Sequence, residues 1–169
     1  MKHFKNTILM IGCFLLINES SNLFAQKSSL LEIKGHTYHG EERIEKAFVK
    51  LYQNNKVVQV MYTKKNGKFG FILFSGIQYV VEVSKPGYVS ERIQISTKEE
   101  TKSNGKYFYE FKIDLMSLKK IKGIDISSLD FPTAIIKYNK KAGEYLHDKA
   151  YSKIVKAELK KLKELAKSN

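Results

Sequence analysis

The chain has 169 residues and 43% apolar content, enough for one domain of ordinary size with a packed core and some extension. Thirty Lys and Arg against 17 Asp and Glu give a formal charge of +13, which points first to nucleic acid or an anionic surface as partner. The single cysteine, Cys13, excludes an internal disulfide framework.

Residues 1–25 read as an export signal. Lys2, His3 and Lys5 form a basic start, Thr7 to Ile17 an apolar run, and Leu23-Phe24-Ala25 a cleavage point after Ala25. The apolar run is too short to cross a bilayer as a helix. Met10-Ile11-Gly12-Cys13 is close to a lipoprotein box, but Phe14 to Ile17 continue the apolar run past Cys13, where a lipoprotein turns polar. Cleavage after Ala25 leaves no thiol nucleophile and no thiolate metal site. It also takes the chain away from nucleic acid. A basic exported surface faces anionic lipid headgroups or acidic glycans instead.

Strands follow. Leu30 to Tyr38 places Leu31, Ile33, Gly35 and Thr37 on one face. A charged connection leads to Lys46–Gln53, where Ala47, Val49 and Leu51 alternate with Phe48, Lys50 and Tyr52. Asn54-Asn55 makes a turn, since asparagine tolerates the left-handed region. Lys56 to Thr63 returns. Asn66-Gly67, Ser75-Gly76 and Pro86-Gly87 then punctuate two short runs, Lys68–Phe74 and Ile77–Ser84, and predict a β-meander with a type I′ hairpin at Asn66-Gly67. Phe69, Phe71 and Leu73 share one face; so do Ile77, Tyr79, Val81 and Val83. Tyr88 to Thr97 is a sixth strand with Ile93 and Ile95 inward, and Tyr107 to Leu115 a seventh. Strands at this spacing predict an antiparallel sandwich.

From Met116 the pattern changes. Residues 116–146 read as a linker holding one extra strand at Thr133–Tyr138, after a Pro132 that bars a helix. Residues 147–167 form an amphipathic helix: Tyr151, Ile154, Val155, Leu159, Leu162 and Leu165 follow three-four spacing, with Asp148 as N-cap.

The order of short motifs is familiar. Ile33-Lys34-Gly35-His36, Ile44 to Leu51, Thr63 to Phe69, Gly76-Ile77-Gln78-Tyr79 and Gly87-Tyr88 together resemble the carboxypeptidase regulatory-like domain over about residues 30–115. That resemblance implies a seven-stranded, prealbumin-like Greek-key sandwich, here with a C-terminal amphipathic helix. It implies an accessory, spacer or ligand-presenting role on exported proteins, and no catalysis. Lys46 stands where the family has glycine, Arg43-Ile44 where it has proline-leucine, and Lys64 where it has aspartate.

Candidate sites are few. His36 and His39 are three apart and share a metal only if the strand ends between them; on a continuing strand they point to opposite faces. No metal site and no cofactor is expected. His147-Asp148 reads as a helix cap rather than a catalytic dyad. Tyr52, Tyr62 and Phe108 are the outward aromatics on which a sugar ring would stack, although aromatics on strands usually fill cores. Lys149, Lys153, Lys156, Lys160 and Lys163 of the helix are the candidates for contact with a partner or with an anionic membrane surface. The expectation is a non-enzymatic, exported binding or assembly module of a bacterial envelope, periplasmic, outer-membrane associated or secreted. Its partner is an envelope protein or a cell-surface glycan. The alternatives are a polysaccharide-binding accessory protein and a histidine- or metal-dependent hydrolase.

Overall fold

A computed structural model of the chain describes residues 29–98, 105–121 and 131–168. The expected export signal with Cys13 and residues 99–104 and 122–130 lie outside the described residues, as does the side chain of Lys163. Among the described residues ten strands form two sheets. In chain order they are β1 (Leu30–His39), β2 (Glu42–Arg43), β3 (Phe48–Gln53), β4 (Lys56–Tyr62), β5 (Lys68–Phe74), β6 (Gln78–Ser84), β7 (Glu91–Ser96), β8 (Lys106–Asp114), β9 (Ala134–Asn139) and β10 (Glu144–His147). A 3-10 turn spans Leu118–Ile121, and the helix α1 runs Lys149–Ser168.

In the first sheet β1 is central. It pairs antiparallel with β5 and, near its end, with β2; on its other side it pairs parallel with β8. The second sheet has the order β10-β9-β7-β6-β3-β4, with β7 and β9 parallel. The core lies between the sheets. Leu31, Ile33, Phe71, Leu73 and Ile113 from the first meet Val49, Leu51, Val81, Val83, Ile93 and Ile95 from the second, all buried. Each such aliphatic side chain contributes about 1.5–3 kcal/mol through its removal from water. The period-two faces read from the sequence are therefore the faces that pack.

Several expectations need correction. Ten strands replace seven, and two parallel pairs make the sheets mixed rather than antiparallel. The sixth strand begins at Glu91, because Val89 N–H turns to Met116 O (2.9 Å) and Tyr88 bridges Ser117. The extra strand expected at Thr133–Tyr138 is found as β9, and β10 follows it where no strand was expected; together they extend the second sheet. Finally, the meander is absent. β4 and β5 lie in different sheets, and so do β5 and β6.

Buried threonines hold these two crossings. Thr63 Oγ1 donates to Ile44 O (2.7 Å) and accepts from Ala47 N–H (2.9 Å), which anchors the end of β4 in its own sheet. Thr97 Oγ1 plays the corresponding part between β5 and β6, next to Phe74 O (2.7 Å) and Ile77 O (2.8 Å). At the first crossing Gly67 alone has positive φ (71°), and Thr37 O lies 2.6 Å from where a Cβ would stand. A type I′ turn needs positive φ at both central residues, and that geometry belongs to Asn54 and Asn55 (48° and 62°), which close the β3–β4 hairpin.

The helix starts where its cap predicts. Asp148 Oδ1 accepts from the N–H groups of Ala150 and Tyr151 (3.1 Å each), and Oδ2 accepts from Lys137 Nζ (2.9 Å). Tyr151 Oη donates to Pro132 O, and Val155 is buried. Ile154, on the same expected stripe, is 64% exposed, so the stripe is not buried along its whole length.

Candidate functional site

The two flanks of the sandwich differ. On one, Tyr107 of β8 meets Tyr138 of β9 and Tyr145 of β10, ring centroids 5.3–5.6 Å apart, all edge to face. Those rings close the gap between the sheets. On the other flank lie β4 and β5, each an outermost strand, and between them runs a groove of about 670 Å³. Its floor is apolar: Ile33, Met61, Phe69 and Phe71. Lys64 and Lys68 stand at its rim, and neither has an ion-pair partner among the described residues. Of nine large apolar side chains exposed among the described residues, six belong to these two strands: Val57, Val58, Val60, Tyr62, Ile72 and Phe74. Val60 and Tyr62 lie on the outer face of the second sheet and Ile72 and Phe74 on that of the first, so exposed apolar side chains flank the groove on both sides, a concentration that marks an interaction surface.

The three outward aromatics do not form one platform. Tyr62 is 64% exposed on the outer face of β4, with Phe48 beside it (centroids 5.2 Å). Phe108 is exposed on the outer face of the opposite sheet, under Lys34 Nζ at 4.8 Å. Tyr52 is half-buried, its hydroxyl 3.4 Å from Glu82 Oε1.

Glu82 is a feature that sequence reading missed. On β6 it faces outward yet is 6% exposed, because Lys50 of β3 and Arg92 of β7 lie directly opposite in register and fold over it. Lys50 Nζ donates to Oε1 (3.0 Å) and Arg92 Nε to Oε2 (2.8 Å). Burial pushes the carboxyl up, but the hydrogen bonds from Arg92 and Lys50 outweigh it and hold the group below the ordinary carboxylate range. The same contact raises Lys50. The signal was present as Lys-x-Tyr, Glu and Arg on outward positions of three strands, but register was needed to align them. Tyr52, Asn55, Val80, Glu82 and Arg92 line a shallow depression of about 280 Å³ there.

His36 and His39 are separated. β1 continues through both, so they project to opposite faces. His36 is buried on the outer face with Nε2 2.7 Å from Glu110 Oε1 and its ring stacked toward Tyr38. His39 Nδ1 lies 2.9 Å from Leu115 O, with Tyr88 against its ring. The pair therefore cannot share one ion. Among the described residues no group of three or more His, Cys, Asp and Glu is placed to hold a metal. His147 and Asp148 do not form a catalytic dyad here, since both Asp148 oxygens are engaged by the helix start and Lys137. On α1, Lys149, Lys153, Lys156 and Lys160 are exposed and recur at three-four spacing along one stripe; Lys160 reaches Glu164 at 3.7 Å.

No family model matches the chain, and no curated protein matches it. Solved structures similar to it include the TIE protein of Bacillus anthracis, at 20% identity over 53% of this chain and 17% of that one, with a TM-score of 0.43. Catechol 1,2 dioxygenase of Acinetobacter radioresistens is similar at 12% identity over 54% and 53%, with a TM-score of 0.41. The C-terminal domain of the shaft pilin SpaA from Lactobacillus rhamnosus GG is similar at 14% identity over 52% and 98%, with a TM-score of 0.37. The chain thus spans a sixth of the first protein and about half of the second. The described residues form a mainly β, two-sheet sandwich with a C-terminal helix, closed by tyrosines on one flank and open on the other. No helix among the described residues is long and apolar enough to cross a membrane.

Proposed function

We propose that the protein is a non-catalytic, exported binding or assembly module of a bacterial cell envelope, which presents the β4–β5 flank to a protein partner. One observation carries the reading: the exposed apolar side chains gather on two adjacent strand edges that are otherwise unpaired. The accessory role implied by the resemblance to carboxypeptidase regulatory-like domains is part of this proposal. So is the envelope location, which rests on the export signal read in residues 1–25. A photo-crosslinking residue placed at Tyr62 and, separately, at Phe108 tests it in intact cells. Crosslinks to an envelope protein from Tyr62 and none from Phe108 are expected. Recovery of the protein in the cytosol, or crosslinks from Phe108 alone, would overturn it.

A second reading has its own observation. The depression at Tyr52 combines one aromatic ring with Asn55, Glu82 and Arg92, the polar-plus-planar lining that suits a sugar. Glycan-array binding abolished by Tyr52→Ala would favour a polysaccharide-binding accessory protein over an assembly module.

A further inference from the structure

Hydrogen bonding along β5 shows which part of its edge is open. Thr37 N–H donates to Gly67 O (2.9 Å) and Ser75 N–H to Ser29 O (3.1 Å), so these two bonds bracket the β1–β5 ladder. In an antiparallel pair the hydrogen-bonded positions alternate. The odd-numbered residues of β5 therefore bond to β1, while Lys68, Gly70, Ile72 and Phe74 turn their backbone groups to the free side. Both ends of that side are already occupied. Lys68 N–H donates to Asn66 Oδ1 (3.2 Å) and Lys68 O accepts from Lys64 N–H (3.0 Å). Phe74 N–H donates to Tyr79 Oη (3.2 Å), and Phe74 O accepts from Thr97 Oγ1 (2.7 Å). Two donors and two acceptors remain, on Gly70 and Ile72, and both residues line the groove.

We propose that this open segment, together with the groove beside it, receives an extended apolar peptide segment of a partner protein as an added strand on β5, acidic at the end that meets Lys64 and Lys68. This deepens, and rests on, the reading of the flank as a partner surface. Main-chain pairing at Gly70 and Ile72 fixes the register, and alternate side chains of the added strand fall into the groove over Phe69, Phe71 and Met61. Gly70 has no side chain to obstruct the approach. β5 contains no carboxylate, and Glu32, the carboxylate lining the groove, is already paired with Lys34 (3.1 Å), so a second copy of this chain paired through the same edge brings the two lysines no unpaired acid. In the antiparallel arrangement, the end of the added strand beside Lys68 is its C-terminal end.

Selection of a phage-displayed random nine-residue library on the purified protein tests this. Enriched peptides are expected to alternate apolar residues and to carry Asp or Glu toward the C-terminal end. Amide exchange is expected to slow at Gly70 and Ile72 when such a peptide binds. Ile72→Pro removes a donor that the β1 ladder does not use, and is expected to weaken binding about tenfold or more, whereas Phe108→Ser on β8, away from the groove, leaves it intact. Lys64→Glu with Lys68→Glu is expected to shift the selected peptides from acidic to basic, and needs no change at the strand itself. Any of four results overturns the inference: no enrichment, equal affinity for Ile72→Pro, protection confined to β4, or a self-associated protein dispersed by Ile72→Pro. If crosslinks from Tyr62 persist in that case, the assembly reading stands without this one; loss of both removes both.

Discussion

Glu82 owes its ionised state to neighbours on the two adjoining strands, Lys50 on one side and Arg92 on the other. A buried carboxylate without them would be costly; with both hydrogen-bonded it ties three strands of the second sheet together on their outer face. Glu82→Gln keeps the shape and leaves two cations facing an amide, so a loss of about 1–3 kcal/mol in chemical denaturation is expected. The pH dependence has a definite sign. The folded carboxyl titrates below the ordinary value, so its contribution is present above the ordinary carboxylate range and fades as pH falls through that range and below. The wild-type protein should therefore lose stability toward acid more steeply than Glu82→Gln. Parallel acid profiles for the two would show that the ion pairs contribute nothing.

At the level of elements, what could be read from the sequence and what could not divide cleanly. Alternation put Val49, Leu51, Phe71 and Val81 on the buried faces because side-chain direction in a strand is a local property. Sheet membership is not local. Asn66-Gly67 and Ser75-Gly76 look like hairpin turns, yet Thr63 and Thr97 hold the chain where it crosses between sheets, and each finds acceptors distant in sequence. β10 escaped notice because four residues are too short to show a period; its place comes from Tyr145 beside Tyr138. The groove at β4–β5 was invisible for the same reason, although Tyr62 at its rim was marked as outward. Asp148 is the contrary case, an N-cap legible from its position alone. Asp148→Ala removes the acceptor for two helix N–H groups and the partner of Lys137, so reduced helical ellipticity with unchanged β-sheet signal is expected. An unchanged spectrum would mean that Tyr151 and Val155 hold α1 in place unaided.

For the whole molecule, the asymmetry between flanks decides where the fold is firm and where it is available. Charge and composition announced a basic domain but said nothing of this, since aromatic residues stand on both flanks. Tyr107, Tyr138 and Tyr145 interlock across the sheets, which joins the late strands β9 and β10 to β8. Tyr62 and Ile72 touch water instead. Tyr145 is 4% exposed and lies on the strand farthest from β4, so Tyr145→Ala leaves a void beside Tyr107 of β8 and Tyr138 of β9. A loss of about 3 kcal/mol is expected, against less than about 0.5 kcal/mol for Tyr62→Ser on the open flank. Hydrogen exchange separates the two ideas further. Tyr145→Ala should raise exchange in β9, β10 and α1 while the amides of β3 and β6 stay protected, because those strands pack through Val49, Val81 and Val83. Uniform loss of protection across both sheets would instead make the tyrosine cluster part of a single cooperative core, and equal costs for the two substitutions would erase the distinction between a closed and an open flank.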